Sequence, residues 1–436
     1  MRKLLLLFLM ALAVATDPCM AAGQYVPTPE NLTRRHEFEG FRFGVFIHWG
    51  IYSTFARGEW FLNDGIDKDE YAKAADAFYP HRYDAREWVR AIKASGARYI
   101  TFTTRHHDGF SMWDTRQSDY NIVRATPFGR DVLRELSDAC REEGVRLHLY
   151  YSILDWIRDD YPLGRTGLRT GRTPRPNYDE YMRFMKNQVS ELLTQYGDIG
   201  ALWLDGYWDH DSDPVPFDWR MTEFYDYCHA LKPDLLIGNN HHLAPLEGED
   251  FQMFERDLPG ENTAGLSGQD IGHLPLEMCQ TMNGMWGYKV SDTDYKSVDE
   301  LVTLIVRAAA KGSNLLLNVG PQPNGQLPAQ ALDRLRGIGR WMDCYGEAVY
   351  GTRRSTTIDG QAWGVATEKE GRTYLHVLDR NAQTVTVPAQ HKPRRITAFP
   401  SGELLPSAYD RRARTLTVEL PAHADVIDYI VEVTLK

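Results

Sequence analysis

The chain has 436 residues, of which 43% are hydrophobic and 25% charged, so it is long enough for two or three folded domains. Its 60 acidic residues outnumber 49 basic ones, and the net charge of −11 argues against a protein that binds nucleic acid through the phosphate backbone. The 11 tryptophans and 23 tyrosines exceed what a core needs and are compatible with stacking against sugar rings.

The first residues have the charge and hydropathy order of a secretory signal peptide. Arg2 and Lys3 precede an apolar run over residues 4–14, and small residues follow as far as Ala22. This run is too short to cross a hydrocarbon layer of ~30 Å, and no later stretch reaches the ~18 apolar residues required. The sequence predicts a signal peptide over residues 1–22 and a secreted or periplasmic protein without a membrane span.

The cysteines give no indication of a disulfide framework or of a zinc site. The chain has only five, and none stands in a C-x-x-C pair. We expect most of them to be small buried side chains.

Between about residues 40 and 345, short apolar runs alternate with amphipathic segments, as in parallel α/β proteins. Gly144 closes one amphipathic stripe, and Ser297 and Glu300 form a capping box that opens another. The strand-like runs are residues 43–47, 99–103, 147–152, 201–204, 235–237 and 315–319, with weaker ones at 251–254 and 279–282.

Eight strands over roughly 300 residues favour a (β/α)8-like TIM barrel over an open sheet. No G-x-G-x-x-G motif follows the first strand, so a dinucleotide-binding fold loses its main support. After Gly351 the pattern changes to short alternating runs separated by turns, which is typical of an antiparallel β-sandwich. We therefore predict a catalytic barrel over residues 23–350 and a β-sandwich domain over residues 351–436.

Polar and aromatic residues follow the predicted barrel strands, where the working residues of such barrels lie. They include carboxylates, imidazoles and indoles: His48-Trp49, Arg105-His106-His107-Asp108, Tyr150-Tyr151, Trp203-Leu204-Asp205 and Asn239-Asn240-His241-His242.

Two kinds of site fit these residue types. A metal site could draw on His48, His106, His107 and Asp205, but the first strand carries no His-x-His pair, and Trp203 offers a stacking surface that a metal centre does not need. A sugar site needs hydrogen-bond donors, an aromatic wall and two carboxyls. The residues favour the sugar site, with no metal and no cofactor.

Several segments resemble the retaining α-L-fucosidases of glycoside hydrolase family 29. They are FGVFIHWG at 43–50, TRHHDGF at 104–110, YYS at 150–152 with Asp155-Trp156, LWLD at 202–205, WGY at 286–288, NLLLNVGP at 314–321 and GEA at 346–348. The resemblance implies an enzyme that removes terminal α-L-fucose from fucosylated glycans with retained configuration, and it implies a C-terminal β-sandwich.

The resemblance also implies roles for individual residues. It makes Asp205 the nucleophile that attacks the anomeric carbon. Trp286 corresponds to an aromatic residue near the methyl group that distinguishes fucose from galactose. Of Tyr150 and Tyr151, we expect Tyr150 to face the sugar. The implied fucose-binding residues are His48, Glu59, Trp60, His106, His107, Tyr150, Trp203 and Trp286.

The acid/base residue is harder to assign, because the family places it on a variable loop. Glu255 lies in a segment similar to the one in which some members carry the acid, and it is our prediction. Glu277 is the alternative, unless it only supports other residues through hydrogen bonds. Two other functions stay open: a retaining barrel glycosidase for α-galactosides, and a fucose-binding protein that has lost its catalysis.

Overall fold

The computed structural model describes residues 25–435. The predicted signal peptide, residues 1–22, lies outside the described residues. Within residues 25–435, none of the helices combines the length and the apolar character that crossing a membrane would require.

A nearly closed barrel of eight parallel strands forms the centre of the molecule. The strands follow the hydrogen-bonded order β5-β4-β3-β2-β1-β8-β7-β6. β5 and β6 lie side by side without a ladder, so the ring has one open seam. The strands are β1 (Phe43–Ile47), β2 (Tyr99–Arg105), β3 (Arg146–Ser152), β4 (Ile199–Asp205), β5 (Leu236–Asn240), β6 (Gln252–Glu255), β7 (Leu276–Thr281) and β8 (Ser313–Val319). The barrel prediction is confirmed.

Between residues 25 and 435, ten α-helices accompany the barrel. They are α1 (Pro29–Phe41), α2 (Tyr52–Phe55), α3 (Lys68–Ala72), α4 (Ala74–Ala77), α5 (Ala85–Ala94), α6 (Val132–Glu143), α7 (Tyr178–Gln195), α8 (Met221–Leu231), α9 (Val298–Ala310) and α10 (Ala329–Tyr345). Gly144 ends α6 in the left-handed conformation, and the capping box of Ser297 and Glu300 opens α9, both as predicted.

Strand β7 begins three residues earlier than its apolar pattern predicts, at Leu276 instead of Cys279. The run was missed because Glu277 interrupts it with a carboxylate. Glu277 is nevertheless buried, with 1% of its surface exposed. Its burial is tolerated because Tyr99 and Trp203 both donate hydrogen bonds to the carboxylate inside the barrel.

Helix α1 packs across the end of the barrel opposite to the carboxyl ends of the strands. Thr28 caps it by accepting a hydrogen bond from Asn31 N. Phe38 is buried and packs edge-on against Tyr99 and at a tilt against Phe251, with ring centroids 5.5 and 5.0 Å apart. This aromatic layer fills the base of the barrel and leaves the other end open for a site.

The C-terminal region is a β-sandwich, as predicted. A five-stranded antiparallel sheet has the order β13-β16-β11-β10-β9, and it faces a three-stranded sheet with the order β12-β15-β14. Their strands are β9 (Arg353–Arg354), β10 (Gly364–Lys369), β11 (Arg372–Val377), β12 (Thr384–Pro388), β13 (Arg395–Phe399), β14 (Ser407–Asp410), β15 (Thr415–Glu419) and β16 (Tyr429–Thr434).

Side chains from both sheets form one apolar core, with Val385 and Leu416 from one sheet and Leu375 and Val431 from the other. The sequence pattern missed β9 and β14, because their residues are largely exposed, and it missed β13, which has only three apolar residues, Ile396, Ala398 and Phe399. Ile358 lies outside these strands but is buried in the same core.

Candidate active site

A cavity of about 200 Å³ opens at the carboxyl ends of the barrel strands and has room for a single sugar ring. Nine of the predicted site residues line it: His48, Trp60, His106, His107, Tyr150, Trp203, Asp205, Glu255 and Trp286. Glu59 and Glu277 are buried nearby but do not form its wall. Residues without a predicted role that also line it are Phe46, Arg165, Trp208, Asn240, His242, Leu266 and Cys279.

Asp205, the last residue of β4, has hydrogen-bond donors on both carboxylate oxygens. The Tyr150 hydroxyl donates to Oδ2 at 2.9 Å. Oδ1 accepts from Gly206 N at 2.8 Å, from Trp208 Nε1 at 3.1 Å and from Asn240 Nδ2 at 3.4 Å. These fixed donors orient the carboxylate towards the cavity and stabilise its charge.

Burial raises the pKa of Asp205 to about 6, and the neighbouring charge of Glu255 adds to the increase. The donors Trp208 and Tyr150 oppose it, because they stabilise the ionised form. Asp205 is therefore ionised at neutral pH and becomes protonated as the pH falls through about 6.

Glu255, at the end of β6, shares a hydrogen-bond donor with Asp205. Asn240 Nδ2 lies 2.8 Å from Glu255 Oε2 and 3.4 Å from Asp205 Oδ1. His242 Nε2 lies 3.1 Å from the same Glu255 oxygen. Burial alone would raise the pKa of Glu255, but the hydrogen bonds from His242 and Asn240 lower it overall. Two carboxylates thus face one cavity from neighbouring positions.

Glu277 lies deeper in the barrel than the cavity wall. Its Oε2 accepts a hydrogen bond from the Tyr99 hydroxyl at 2.6 Å, and its Oε1 accepts one from Trp203 Nε1 at 2.8 Å. Burial raises its pKa to about 7. Both oxygens are therefore engaged in holding other side chains, and Trp203 is the one that reaches the cavity.

Three of the four histidines that line the cavity, His48, His106 and His107, are neutral imidazoles, because burial lowers the pKa of each one. Asn318 donates its amide to Trp286 O, so its Oδ1 accepts from Nδ1 of His48 at 2.6 Å. Ser152 Oγ contacts His107 Nδ1 at 2.8 Å, and His107 Nε2 lies 3.6 Å from Asp205 Oδ2. Within residues 25–435, no three His, Cys, Asp or Glu side chains converge as metal ligands would.

The aromatic wall follows the alternation of strand side chains. Tyr150 points to the cavity and stacks on Trp203 with ring centroids 5.4 Å apart. Tyr151 points the other way and donates to Gln188 on α7. On the opposite side, Trp60 stacks on Trp208 at an angle of 18° between the rings.

Glu59 contacts the backbone of Gly287, beside the cavity residue Trp286. Its carboxylate accepts a hydrogen bond from Gly287 N at 2.7 Å, next to Trp286. The resemblance implies that Glu59 binds the sugar, and this role stays a prediction; its contact with Gly287 N fixes the segment that carries Trp286.

Trp208 is a site residue that sequence reasoning missed. Asn240 and His242, at or just after the end of β5, were among the predicted strand-end residues but had no assigned role. Trp208 lies in the 3₁₀ turn Tyr207–His210 that directly follows β4. Its ring returns to the cavity because Gly206 turns the backbone at φ 104°, which a side chain at that position would oppose.

A parallel barrel whose mouth holds two adjacent carboxylates, neutral imidazoles and an indole wall has the architecture of a glycoside hydrolase. Comparison with known proteins defines the family. The model of the family described as alpha-L-fucosidase matches residues 12–347, and the chain belongs to this family.

Individual relatives agree with the family match. An alpha-L-fucosidase from Dictyostelium discoideum is 28% identical over 395 residues, which cover 82% of this chain and 81% of the relative. Among solved structures, alpha-L-fucosidase isoenzyme 1 from Paenibacillus thiaminolyticus is 34% identical with a TM-score of 0.82, covering 93% of this chain and 100% of that one.

A third similar protein was solved as a trapped covalent intermediate. It is the GH29 alpha-L-fucosidase of Bacteroides thetaiotaomicron in complex with 2-fluoro-fucosyl fluoride. It is 25% identical to this chain, with a TM-score of 0.79 and coverage of 95% of this chain and 98% of that one.

Proposed function

We propose that this protein is an exo-acting retaining α-L-fucosidase that removes terminal α-L-fucose from fucosylated glycans. The observation that carries the proposal is the pair Asp205 and Glu255, whose oxygens both lie within 3.4 Å of the Asn240 amide nitrogen. Because these two oxygens contact one nitrogen, they cannot lie as far apart as the ~6.5–9.5 Å of inverting enzymes, which favours the retaining arrangement.

In the first step, ionised Asp205 attacks the anomeric carbon while Glu255 gives its proton to the departing glycosidic oxygen. Positive charge develops on the sugar beside Asp205 and stabilises the ionised form of this carboxylate. The pair carries one proton below about pH 6, and this proton therefore resides on Glu255 when substrate is bound. In the second step, Glu255 takes a proton from the water that releases fucose from Asp205.

The remaining residues of the wall bind the sugar. His48, His106 and His107 are neutral, so they can donate to or accept from fucose hydroxyls without adding charge. Trp286 and Phe46 give an apolar surface for the methyl group. A single methyl contributes ~1–3 kcal/mol of discrimination, which favours fucose over galactose.

Hydrolysis of aryl α-L-fucoside beside the aryl α-D-galactoside tests this function, with proton NMR of the first product formed. We expect activity on the fucoside alone and initial release of α-L-fucose. Asp205→Ala should lower kcat by several orders of magnitude while fucose still binds. Initial release of the β-anomer, or equal activity on both substrates, would contradict the proposal.

The acid/base role of Glu255 has a separate test, because a proton donor matters only when the leaving group needs one. We expect Glu255→Ala to lose at least about 100-fold in kcat/KM on a fucosyl disaccharide and much less on an activated aryl fucoside. Azide should then accelerate turnover by displacing Asp205 from the glycosyl-enzyme, and it should yield α-fucosyl azide with retained configuration. Glu277→Ala should lower both activities by a similar factor, because Trp203 loses its support. Azide rescue of Glu277→Ala alone would move the acid role to Glu277.

We also propose that residues 1–22 are a signal peptide and that the enzyme acts outside the cytoplasm. The charge of Arg2 and Lys3 and the apolar run that follows support this proposal. Expression of the full chain and N-terminal sequencing of the protein recovered outside the cytoplasm will locate the cleavage. Recovery of intact Met1 only from the cytoplasm would contradict it.

A further inference from the structure

The carboxylate of Glu255 is held by one of its two oxygens only. Oε2 accepts from Asn240 Nδ2 at 2.8 Å and lies 3.1 Å from His242 Nε2. Among residues 25–435, no donor comes within hydrogen-bond distance of Oε1. Because Glu255 lines the cavity, Oε1 is the oxygen left open to a bound substrate.

The following inference rests on the proposed acid/base function of Glu255. We propose that Asn240 and His242 are positioning residues that clamp Oε2 of Glu255, so that Oε1 alone exchanges the proton with the glycosidic oxygen and with water. Asn240, at the end of β5, and His242, just after it, hold Oε2, whereas the leaving group lies next to Oε1.

The clamp can stay in place through both chemical steps. In the first, the Oε1–H bond breaks as the proton bonds to the glycosidic oxygen, the bond from that oxygen to the anomeric carbon breaks, and an Asp205 oxygen bonds to this carbon. In the second, water oxygen bonds to the anomeric carbon, the Asp205 ester bond breaks, and the water proton moves to Oε1. Oε2 accepts N–H donors in both protonation states of Glu255.

The strand register and the loop backbone build the clamp. Asn240 ends β5 and pairs in register with Asp205 at the end of β4, so its amide lies between the two carboxylates. His242 has φ 63°, a left-handed conformation that is uncommon for a residue with a side chain. This backbone turns His242 towards Glu255, while the preceding His241 points away and contacts Glu249 at 2.9 Å.

His242 Nε2 lies 3.1 Å from Glu255 Oε2 and serves as an N–H donor to it. Loss of a donor to the ionised form raises the pKa of a carboxyl group, so removal of His242 should raise that of Glu255. The other groups that act electrostatically on this pair remain in the variants: Asp205, Asp211, Arg256, Glu59, His48, Tyr150 and Cys279. A difference between wild type and variant therefore reports on His242.

The test compares His242→Ala, His242→Gln and Asn240→Ala on two substrates, a fucosyl disaccharide and 2-chloro-4-nitrophenyl α-L-fucoside. We expect His242→Ala to lower kcat/KM about 10- to 100-fold on the disaccharide and less than about threefold on the aryl fucoside. Its alkaline limb of kcat/KM should move to higher pH. His242→Gln keeps an N–H donor and should restore most of the disaccharide activity.

His241→Gln is the matched control, and its ratio of activities on the two substrates and its alkaline limb should equal those of wild type. The proposed clamp would be overturned if His242→Ala lost activity equally on both substrates and its alkaline limb did not move.

If His242→Ala does not fold, Asn240→Ala decides, because it removes the other donor to Oε2 and should move the alkaline limb in the same direction. Glu255→Ala in the same assay separates the two proposals: without a dependence on the leaving group, the function of Glu255 fails rather than the clamp.

Discussion

At the residue scale, Asp205 is a carboxylate whose charge is opposed by burial and supported by four hydrogen-bond donors. Tyr150 is the donor to Oδ2, and it also stacks on Trp203, so one side chain connects the nucleophile to the aromatic wall. His107 lies 3.6 Å from the same oxygen as a neutral imidazole and therefore does not neutralise Asp205. The donors rather than a counter-charge keep this carboxylate ionised.

The pH dependence of kcat/KM should report on this balance. Burial raises the pKa of Asp205 to about 6, whereas hydrogen bonds lower the pKa of Glu255, so the pair keeps one proton only below about pH 6. Catalysis needs that proton on Glu255, and we therefore expect kcat/KM to fall as the pH rises above about 6. Tyr150→Phe removes a donor to ionised Asp205, so this alkaline limb should move to higher pH. Tyr151→Phe, whose hydroxyl contacts Gln188, is the control and should leave the limb unchanged. An alkaline limb that is identical in Tyr150→Phe would contradict this account.

At the element scale, the interior of β7 shows how the barrel supports its site. Glu277 occupies a position where an apolar side chain would fill the same space, yet it holds Tyr99 from one neighbouring layer and Trp203 from the next. A buried carboxyl is tolerated there because both of its oxygens accept hydrogen bonds. The strand therefore fixes the position of the cavity wall without contributing to its surface.

Helix α9 allows a test of element stability that is separate from catalysis. Ser297 Oγ accepts from Glu300 N at 3.2 Å, and Glu300 Oε2 accepts from Ser297 N at 2.7 Å. We expect Ser297→Ala to lower the free energy of unfolding by about 1 kcal/mol, with unchanged kcat, as measured by urea denaturation. Ser297→Asp keeps an N-cap acceptor and should lose much less. Equal destabilisation by both substitutions would show that the cap is not the cause.

At the scale of the whole molecule, a buried polar chain joins the sandwich to the barrel. Thr367 Oγ1 on β10 donates to Ala348 O at 2.8 Å, in the 3₁₀ turn that follows α10. His376 Nε2 lies 3.1 Å from the same hydroxyl, and His376 Nδ1 lies 2.7 Å from Asp428 Oδ2. All three side chains are fully buried, so each depends on the others for its hydrogen bonds.

Removal of the hydroxyl should therefore weaken the connection between the two regions. We expect Thr367→Val to lower the free energy of unfolding by about 1–3 kcal/mol, because Ala348 O and His376 lose a buried partner. The hydrogen-bonded threonine pair of Thr386 and Thr417 is exposed, so Thr386→Val serves as the control and should change stability by less than about 0.5 kcal/mol. Equal stability of Thr367→Val and wild type in thermal and urea unfolding would contradict this role.

The sequence by itself determined the barrel, the following sandwich and the position of Asp205. Apolar runs at regular spacing define buried parallel strands, and the polar residues at their carboxyl ends must meet at one mouth whatever the details of packing. Short and largely exposed strands, such as β9 and β14, could not be predicted in this way.

Only the tertiary structure decided which of the paired candidates faces the cavity. Tyr150 and Tyr151 are both buried, and so are Glu277 and most of β6, because helices cover the outside of the barrel while side chains fill its inside. Where both faces of a strand are buried, hydropathy does not distinguish inward from outward positions. Closure of the barrel decides which side chains of each strand point inward, and it places Glu255 on the cavity wall and Glu277 beneath it.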